Sequence, residues 1–211
     1  MKLPVPPLLV ISDRRQARRP LEEVAEAVFA GGCRWFSLRE KDLTPEERRV
    51  LLGELVPLGR RFGAVVTAHE DIEAVAAIGA DGVHVPGGGS PDAVRARLPG
   101  ALIGASAHSA DEAVALLRAG ADYVTVSPVF MTASKPGYGP ALGLEALASV
   151  AARSPGPVVA LGGITPENAA QCIAAGARGV AVMGEIMRSA DPRAIVEHVL
   201  SVMDITPSRQ Y

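Results

Sequence analysis

The sequence has few cysteines and no pattern that joins them. Only 2 of its 211 residues are cysteine, Cys33 and Cys172, and no CxxC motif is present. Small secreted domains that depend on disulfides carry many more cysteines, at closer spacing. We therefore expect two buried free thiols and no oxidising compartment.

The sequence also lacks a strong net charge and a long hydrophobic run. Its formal net charge is -2 and its pI is near 6.1, which gives no global field to gather nucleic acid or anionic lipid. The start, MKLPVPPLLVISDRR, is a short apolar stretch broken by prolines, so it resembles neither a signal peptide nor a membrane span. We expect a cytoplasmic protein whose partners are a small molecule and, in a homodimer, a second copy of the chain.

Short apolar runs rich in β-branched residues alternate with longer amphipathic stretches along the whole chain, a pattern that predicts strands alternating with helices. The predicted strands begin at Leu8, Trp35, Ala64, Gly82, Leu102, Tyr123, Val158 and Gly179. A repeated motif, seen in AGGCRWFSL, IGADGVHV, AGADYVTV and AGARGVAV, places a helix-ending glycine just before the next strand.

Eight strand–helix units predict an α/β protein, a single (β/α)8 barrel formed by residues 1–211 as one domain. An open doubly wound sheet is the alternative. Such sheets often have G-x-G-x-x-G after the first strand, whereas this chain has ISDRRQ there. The barrel is therefore favoured.

Polar side chains follow the predicted strands, at the end of the barrel where active sites form. They are Arg39, Lys41, His69, Glu70, His84, Ser106 and His108. The two cations alternate along one strand end, so they point to the same side and suit an anion, although a solvated face is also typical of such a pair. A histidine titrates near neutral pH, which makes His69 and His108 candidate proton shuttles, while His84 is expected to be structural.

Glycine turns follow the last two strands, at Gly162-Gly163 and at Met183-Gly184. Backbone N–H groups exposed at such turns bind phosphate, and these two loops form the usual phosphate site of the barrel. The alternative is that the glycines only allow tight turns. The pair of turns predicts a phosphorylated ligand.

The segment SPVFMTASKPGYG after the sixth strand contains one lysine, Lys135. It could hold an anion, attack a carbonyl as a Schiff-base nucleophile, or keep a loop soluble. A nucleophilic lysine must be desolvated, and barrel aldolases place it on a strand inside the barrel. Lys135 instead lies in a loop rich in glycine and proline, which favours anion binding.

Several segments together resemble the thiamine phosphate synthase/TenI family. They are VISDR, AGGCRWFSLREKDL, GADGVHV, IGASAH, GADYVTVSPVFMTASKPGYGPALGLE, VVALGGITPENAA and GARGVAVMGEI, in that order from Leu8 to Ile186. The synthases of this family join a hydroxymethylpyrimidine diphosphate to a thiazole phosphate with Mg²⁺ and expel pyrophosphate.

The resemblance implies site residues by position. Arg39 and Lys41 match the two cations of a Q-x-R-x-K motif that bind pyrophosphate, with Ser37 in place of the glutamine. Ser106 matches a serine of the fifth loop, and Gly162-Gly163 match the thiazole-phosphate loop. Thr132, Ser134 and Lys135 match T-x-T-K, in which the lysine contacts the pyrophosphate.

Two departures concern the metal. The family's Asn-Asp pair is His69-Glu70 here, and its second metal-binding aspartate falls within HVPGGGS, at or near Gly89. Because Mg²⁺ requires hard oxygen ligands and glycine offers no carboxylate, Glu70 can replace only one ligand.

The glycine-rich loop is more similar to the TenI branch, which tautomerises a thiazole phosphate carboxylate by proton transfer without a metal. The histidine of such tautomerases is Pro128 here. The sequence thus favours a metal-free tautomerase that acts through His69, His108 or Glu70 on a small phosphorylated substrate. A Mg²⁺-dependent thiamine phosphate synthase and a non-catalytic thiazole-phosphate-binding protein are the alternatives.

Overall fold

The computed structural model describes residues 3–131 and 141–203. Within them, eight strands alternate with nine helices, and each predicted strand is present. The strands are β1 Leu8–Ile11, β2 Trp35–Leu38, β3 Val65–His69, β4 Gly82–Val85, β5 Leu102–Ala107, β6 Tyr123–Val126, β7 Val158–Leu161 and β8 Gly179–Val182. The helices are α1 Leu21–Ala30, α2 Pro45–Arg61, α3 Ile72–Ile78, α4 Pro91–Arg97, α5 Ala110–Arg118, α6 Gly143–Arg153, α7 Pro166–Ala174, α8 Gly184–Met187 and α9 Pro192–Val202.

The strands form one closed parallel barrel in the order β1 to β8. β1 pairs with β2 at Val10 and Phe36, and it closes the barrel by pairing with β8 at Leu9 and Ala181. The predicted (β/α)8 barrel is therefore confirmed, and the open doubly wound sheet is excluded.

The helix-ending glycines have the role that the repeated motif predicts. Gly32, Gly79, Gly120 and Gly176 all have positive φ angles, of 100°, 71°, 99° and 95°. Residues with a Cβ atom rarely adopt this conformation, so glycine lets the chain turn from each helix towards the next strand.

Alternation along the strands creates two apolar cores. The larger one lies between the strands and the helices and includes both cysteines, Cys33 and Cys172, as buried free thiols. Burial raises the pKa of the Cys33 thiol to about 12 and that of Cys172 to about 11, so both stay protonated near neutral pH.

In the part of the chain that the structure describes, no helix is long and apolar enough to cross a membrane.

The smaller core fills the inside of the barrel. It consists of Leu9, Ile11, Trp35, Leu102, Tyr123, Val159 and Ala181. The rings of Trp35 and Tyr123 meet edge to face, with their centroids 4.7 Å apart. Glycine is required at position 104, because a Cβ atom there would overlap the Tyr123 ring. This core closes the barrel beneath the strand ends.

A layer of buried polar residues lies inside the barrel, farther along the strands. Its members are Ser37, Thr67, His84 and Thr125, each at most 1% exposed. The Thr125 hydroxyl lies 3.4 Å from His84 Nε2. Buried polar groups usually have such partners, although Ser37 Oγ has none among the described residues. His84 is the member of this layer that reaches the cavity described next.

Candidate active site

A cavity of about 440 Å³ opens at the carboxyl ends of the strands, where barrel active sites form. Among the residues predicted from the sequence, those that line it are Arg39, Lys41, His69, Glu70, Ser106, His108, Gly162, Gly163, Met183 and Gly184. The structure thus brings these residues together, and their roles towards a ligand stay predictions. Thr132, Ser134 and Lys135 lie outside the described residues.

The end of β2 presents two cations to the cavity. Arg39 and Lys41 both line it, whereas Glu40 between them is only 3% exposed. Glu40 Oε2 accepts a hydrogen bond of 2.9 Å from the Arg14 backbone N–H, and burial raises the pKa of this carboxyl. The Arg39 backbone N–H donates to Ser12 Oγ at 2.8 Å. These contacts join the end of β2 to the loop after β1. Because Glu40 is turned away from the cavity, its two neighbours Arg39 and Lys41 are directed into it.

The Gly162-Gly163 turn packs closely against the segment that follows β6. The two glycines have φ angles of 98° and 65°. A Cβ atom on Gly162 would lie 2.7 Å from Pro128 Cα, and one on Gly163 would lie 2.5 Å from the carbonyl oxygen of Met131. The Phe130 N–H also donates to the Gly162 carbonyl oxygen at 3.0 Å. These glycines are therefore required by packing, independently of any phosphate.

A third cation, Arg188, lines the cavity beside the Met183-Gly184 turn. Its guanidinium covers Gly184, since a Cβ atom there would lie 2.8 Å from Nη2. Arg188 Nη1 donates to Gln16 Oε1, and Gln16 Nε2 donates to Asp13 Oδ2 at 2.5 Å. No sequence motif singled out Arg188. The available signal was its spacing of four residues from Gly184, which places the two on the same side of a helical turn.

Two histidine rings are stacked at the cavity floor. The centroids of His69 and His84 lie 4.6 Å apart, with 34° between the ring planes. His84 is 1% exposed; its Nδ1 lies 3.2 Å from the Tyr123 hydroxyl and its Nε2 lies 2.9 Å from Ser106 Oγ. Burial, with the Arg39 charge as the second cause, lowers the pKa of His84 to about 3. His84 is therefore neutral near pH 7 and positions the Ser106 hydroxyl.

His108 has a defined tautomer when it is neutral. Its Nδ1 lies 2.8 Å from the Ser127 carbonyl oxygen, which can only accept a hydrogen bond, so Nδ1 carries the proton. Nε2 is then the nitrogen without a proton in the neutral ring. The backbone N–H of His108 donates to Glu112 Oε2 at 2.7 Å, which fixes the strand end at the start of α5.

Glu70 presents a carboxylate to the cavity from an unusual backbone conformation. Its φ angle is 63°. Among the described residues, every other residue with a positive φ angle is a glycine. Its backbone N–H donates to the His84 carbonyl oxygen at 3.1 Å. Strained backbone of this kind is often found at functional sites.

The described donor set does not fit a Mg²⁺ ion held by the protein. Such an ion prefers carboxylate oxygens in octahedral geometry, and in the described ranges no three His, Cys, Asp or Glu side chains form a group that could hold a metal. Gly89 cannot simply regain a side chain, since a Cβ atom there would overlap the Val85 side chain. At position 89 the path of the loop therefore leaves no room for a side chain.

Comparisons with known proteins match the whole barrel. The family model described as thiamine monophosphate synthase matches residues 8–186. Thiamine-phosphate synthases from a Roseiflexus species and from Geobacillus thermodenitrificans are each 38% identical; the matches cover 92% and 87% of this chain and 84% and 86% of the relatives. The structure of thiamine phosphate pyrophosphorylase from Pyrococcus furiosus has a TM-score of 0.84 and 31% identity, covering 93% of this chain and 95% of that one.

Proposed function

The chain belongs to the thiamine monophosphate synthase family, and we propose that it joins a hydroxymethylpyrimidine diphosphate to a thiazole phosphate and releases pyrophosphate. The relatives named thiamine-phosphate synthase support this function more than the tautomerase favoured by the sequence alone. The enzyme class is then a transferase acting on small phosphorylated substrates.

The observation that carries this proposal is that one cavity has two walls suited to anions. Arg39 and Lys41 stand at the end of β2, and the glycine turns stand at the ends of β7 and β8 with Arg188. A joining reaction must hold a diphosphate and a phosphate at once, and two separate cation-bearing walls suit these two groups. A cavity of about 440 Å³ is within the range of small-molecule sites.

The two β2 cations have a direct role in this reaction. When the bond between the pyrimidine methylene and the diphosphate breaks, negative charge grows on the departing pyrophosphate. Arg39 and Lys41 neutralise that charge, in a site with fewer competing waters than bulk solvent. Neither residue forms an ion pair with any described residue, so both charges are available to a ligand.

The hydroxyl of Ser106 contributes a neutral hydrogen bond to the same substrate. It faces the cavity and is hydrogen-bonded to His84 Nε2. The other ring nitrogen of His84 is hydrogen-bonded to the Tyr123 hydroxyl. Because His84 stays neutral, the arrangement adds no positive charge beneath the pyrimidine ring. The hydroxyl is therefore positioned in advance, which reduces the entropy lost on binding.

Mg²⁺ would supply further charge neutralisation at a diphosphate, but the described residues do not hold it well. Glu70 is the carboxylate near the β3 end, and Gly89 offers none. We therefore assign no step to a protein-held ion. Any metal dependence is expected to come from Mg²⁺ that enters with the diphosphate.

Tautomerisation of a thiazole phosphate carboxylate is the second candidate. The pair His69 and His108 favours it, since both imidazoles line the cavity and a proton-transfer reaction needs an acid/base group near neutral pH. His108 lines the cavity, and its Nδ1–H is committed to the Ser127 carbonyl oxygen, which fixes the orientation of the ring.

One set of assays separates the candidates. The purified protein is incubated with thiazole phosphate and pyrimidine diphosphate, with and without Mg²⁺, and separately with the non-aromatic thiazole carboxylate. Formation of thiamine phosphate supports the synthase. Aromatisation of the carboxylate without joining, lost in His108→Gln, supports the tautomerase. Tight binding of thiazole phosphate without turnover of either substrate overturns both and indicates a binding protein.

A further inference from the structure

Arg188 lines the cavity without forming an ion pair to any described residue. Arg14, Arg48, Arg95 and Arg153 each form an ion pair, with Asp42, Asp71, Asp122 and Asp111 respectively. In the described ranges no ion pair includes Arg188, and its side-chain hydrogen bond goes to the neutral amide oxygen of Gln16. Its charge is therefore not neutralised within the described residues.

The guanidinium is nevertheless held in one place. Gln16 accepts its hydrogen bond and is itself tied to Asp13 at the end of β1, while Gly184 provides the flat surface that the guanidinium covers. With any larger residue at 184, the side chain would displace Arg188. Gly184 thus leaves the space that the guanidinium of Arg188 occupies.

The cavity around Arg188 combines this cation with the glycine turns. Gly162 and Gly163 line the wall formed by β7, and Met183 and Gly184 line the wall formed by β8. Glu185 also lines the cavity, and its negative charge disfavours an anion unless a cation such as Arg188 offsets it. A planar guanidinium donates two parallel hydrogen bonds to a phosphate, which lysine does not.

We infer that Arg188 is the residue that selects a phosphate monoester at the glycine-turn wall, closing over the thiazole phosphate from the β8 side. The inference deepens the proposed function and rests on it. It assigns Arg188 to the monophosphate and leaves Arg39 and Lys41 to the diphosphate. Gln16 is a positioning residue that orients the guanidinium.

The test compares ligands with and without the phosphate. Calorimetry measures the affinity of the wild type, Arg188→Ala, Arg188→Lys and Gln16→Ala for hydroxyethylthiazole phosphate, for the unphosphorylated hydroxyethylthiazole and for inorganic phosphate. We expect Arg188→Ala to lose about 10- to 100-fold in affinity for the phosphorylated ligand, the range for a hydrogen bond to a charged group, and none for the alcohol. Arg188→Lys restores part of the loss, and Gln16→Ala loses less than Arg188→Ala.

Arg193→Ala is the matched control. Arg193 is an exposed arginine five residues later, paired with Glu197 on α9 and not on the cavity wall. It should leave all three affinities unchanged, and thermal unfolding checks that every variant is folded.

Three outcomes would overturn the inference, two in Arg188→Ala and one in the wild type. An unchanged affinity of Arg188→Ala for the phosphorylated ligand removes the contact, and an equal loss for phosphate and alcohol reduces Arg188 to a residue that shapes the cavity. If the wild type binds inorganic phosphate but not the thiazole phosphate, the proposed function fails, while the response of phosphate binding to Arg188→Ala still decides the inference. A wild type that binds neither anion contradicts both.

Discussion

The imidazole rings of His69 and His84 lie 4.6 Å apart, yet the two residues have different surroundings. His84 belongs to the buried polar layer and is hydrogen-bonded to Tyr123 and Ser106, whereas His69 lies at the cavity surface. A positive charge on His84 would be costly in this low-dielectric interior. The neutral ring of His84 therefore gives the cavity a polar floor without a fixed charge.

The first prediction concerns the pH dependence of stability. The pKa of His84 is lowered from 6.5 to about 3 in the folded chain, so below pH 6.5 the unfolded chain binds a proton that the folded chain refuses. The contribution of His84 is thus fully present above pH 6.5 and is lost as the pH falls towards 3, by about 1.4 kcal/mol per pH unit.

Urea unfolding at pH 7.5 and pH 5.5 measures this effect in the wild type and in His84→Gln. Between the two pH values the wild type should lose about 1.4 kcal/mol more of its unfolding free energy than the variant does. The other titrating groups are the same in both proteins and cancel in the comparison. Identical losses in the two proteins would show that His84 titrates normally in the folded chain.

The sequence was sufficient to predict the barrel because each strand–helix unit repeats its own local signals. The starts of the strands and the positive φ angles of Gly32 and Gly176 follow from residues within a few positions of each other. The inward direction of Arg39 and Lys41 follows from alternation on a single strand. These features need no knowledge of distant contacts.

Other features depend on tertiary packing and could not be predicted. The position of Arg188 over Gly184 requires Gln16, 172 residues away in the chain, as a hydrogen-bond partner. The positive φ of Glu70 has no signal in the residue type, because glutamate rarely adopts it. The sequence likewise did not reveal that Gly162 is required by contact with Pro128.

The second prediction separates backbone strain from steric overlap at the glycine turn. Gly162 and Gly120 have nearly equal φ angles, 98° and 99°, but a Cβ atom on Gly162 would meet Pro128 whereas one on Gly120 would meet nothing within 4 Å. Gly120→Ala should cost about 1–3 kcal/mol of unfolding free energy from strain alone. Gly162→Ala should cost about 1–3 kcal/mol more, from overpacking.

Urea unfolding of both variants measures the difference, and binding of thiazole phosphate measures its effect on the site. Gly162→Ala should also weaken that binding, because the turn and the segment after β6 must move apart. Equal losses of stability in the two variants would mean that Pro128 moves away freely.

The third prediction concerns the cations at the end of β2. Arg39→Ala and Lys41→Ala should each weaken binding of pyrophosphate about tenfold or more, since each removes a charge-assisted contact. The affinity for inorganic phosphate at the glycine-turn wall should fall much less, because neither side chain belongs to that wall.

Calorimetry at 0.1 M salt measures both affinities. Arg15→Ala is the matched control, as Arg15 is an exposed arginine of the neighbouring loop that does not line the cavity. A similar loss for Arg15→Ala would point to a general field effect, and an undiminished affinity in Arg39→Ala would separate this residue from the diphosphate.

The last prediction concerns the missing carboxylate. If the missing side chain at Gly89 were the only obstacle, Gly89→Asp would create a Mg²⁺ site together with Glu70. Its Cβ atom would instead overlap the Val85 side chain and lie 3.1 Å from the Pro86 carbonyl oxygen, so we expect a loss of about 1–3 kcal/mol of stability and no gain in Mg²⁺ binding.

Gly100→Asp is the control, because a Cβ atom on Gly100 meets nothing within 4 Å, and it should cost less than about 0.5 kcal/mol. Thermal unfolding with and without 10 mM MgCl₂, at constant ionic strength, measures both effects, the concentration being on the order of that needed to reveal millimolar sites. A Mg²⁺-dependent rise in the melting temperature of Gly89→Asp that is absent from Gly100→Asp would show that the loop can still accommodate the ion, and that the protein lost its metal ligand without rebuilding the loop around that loss.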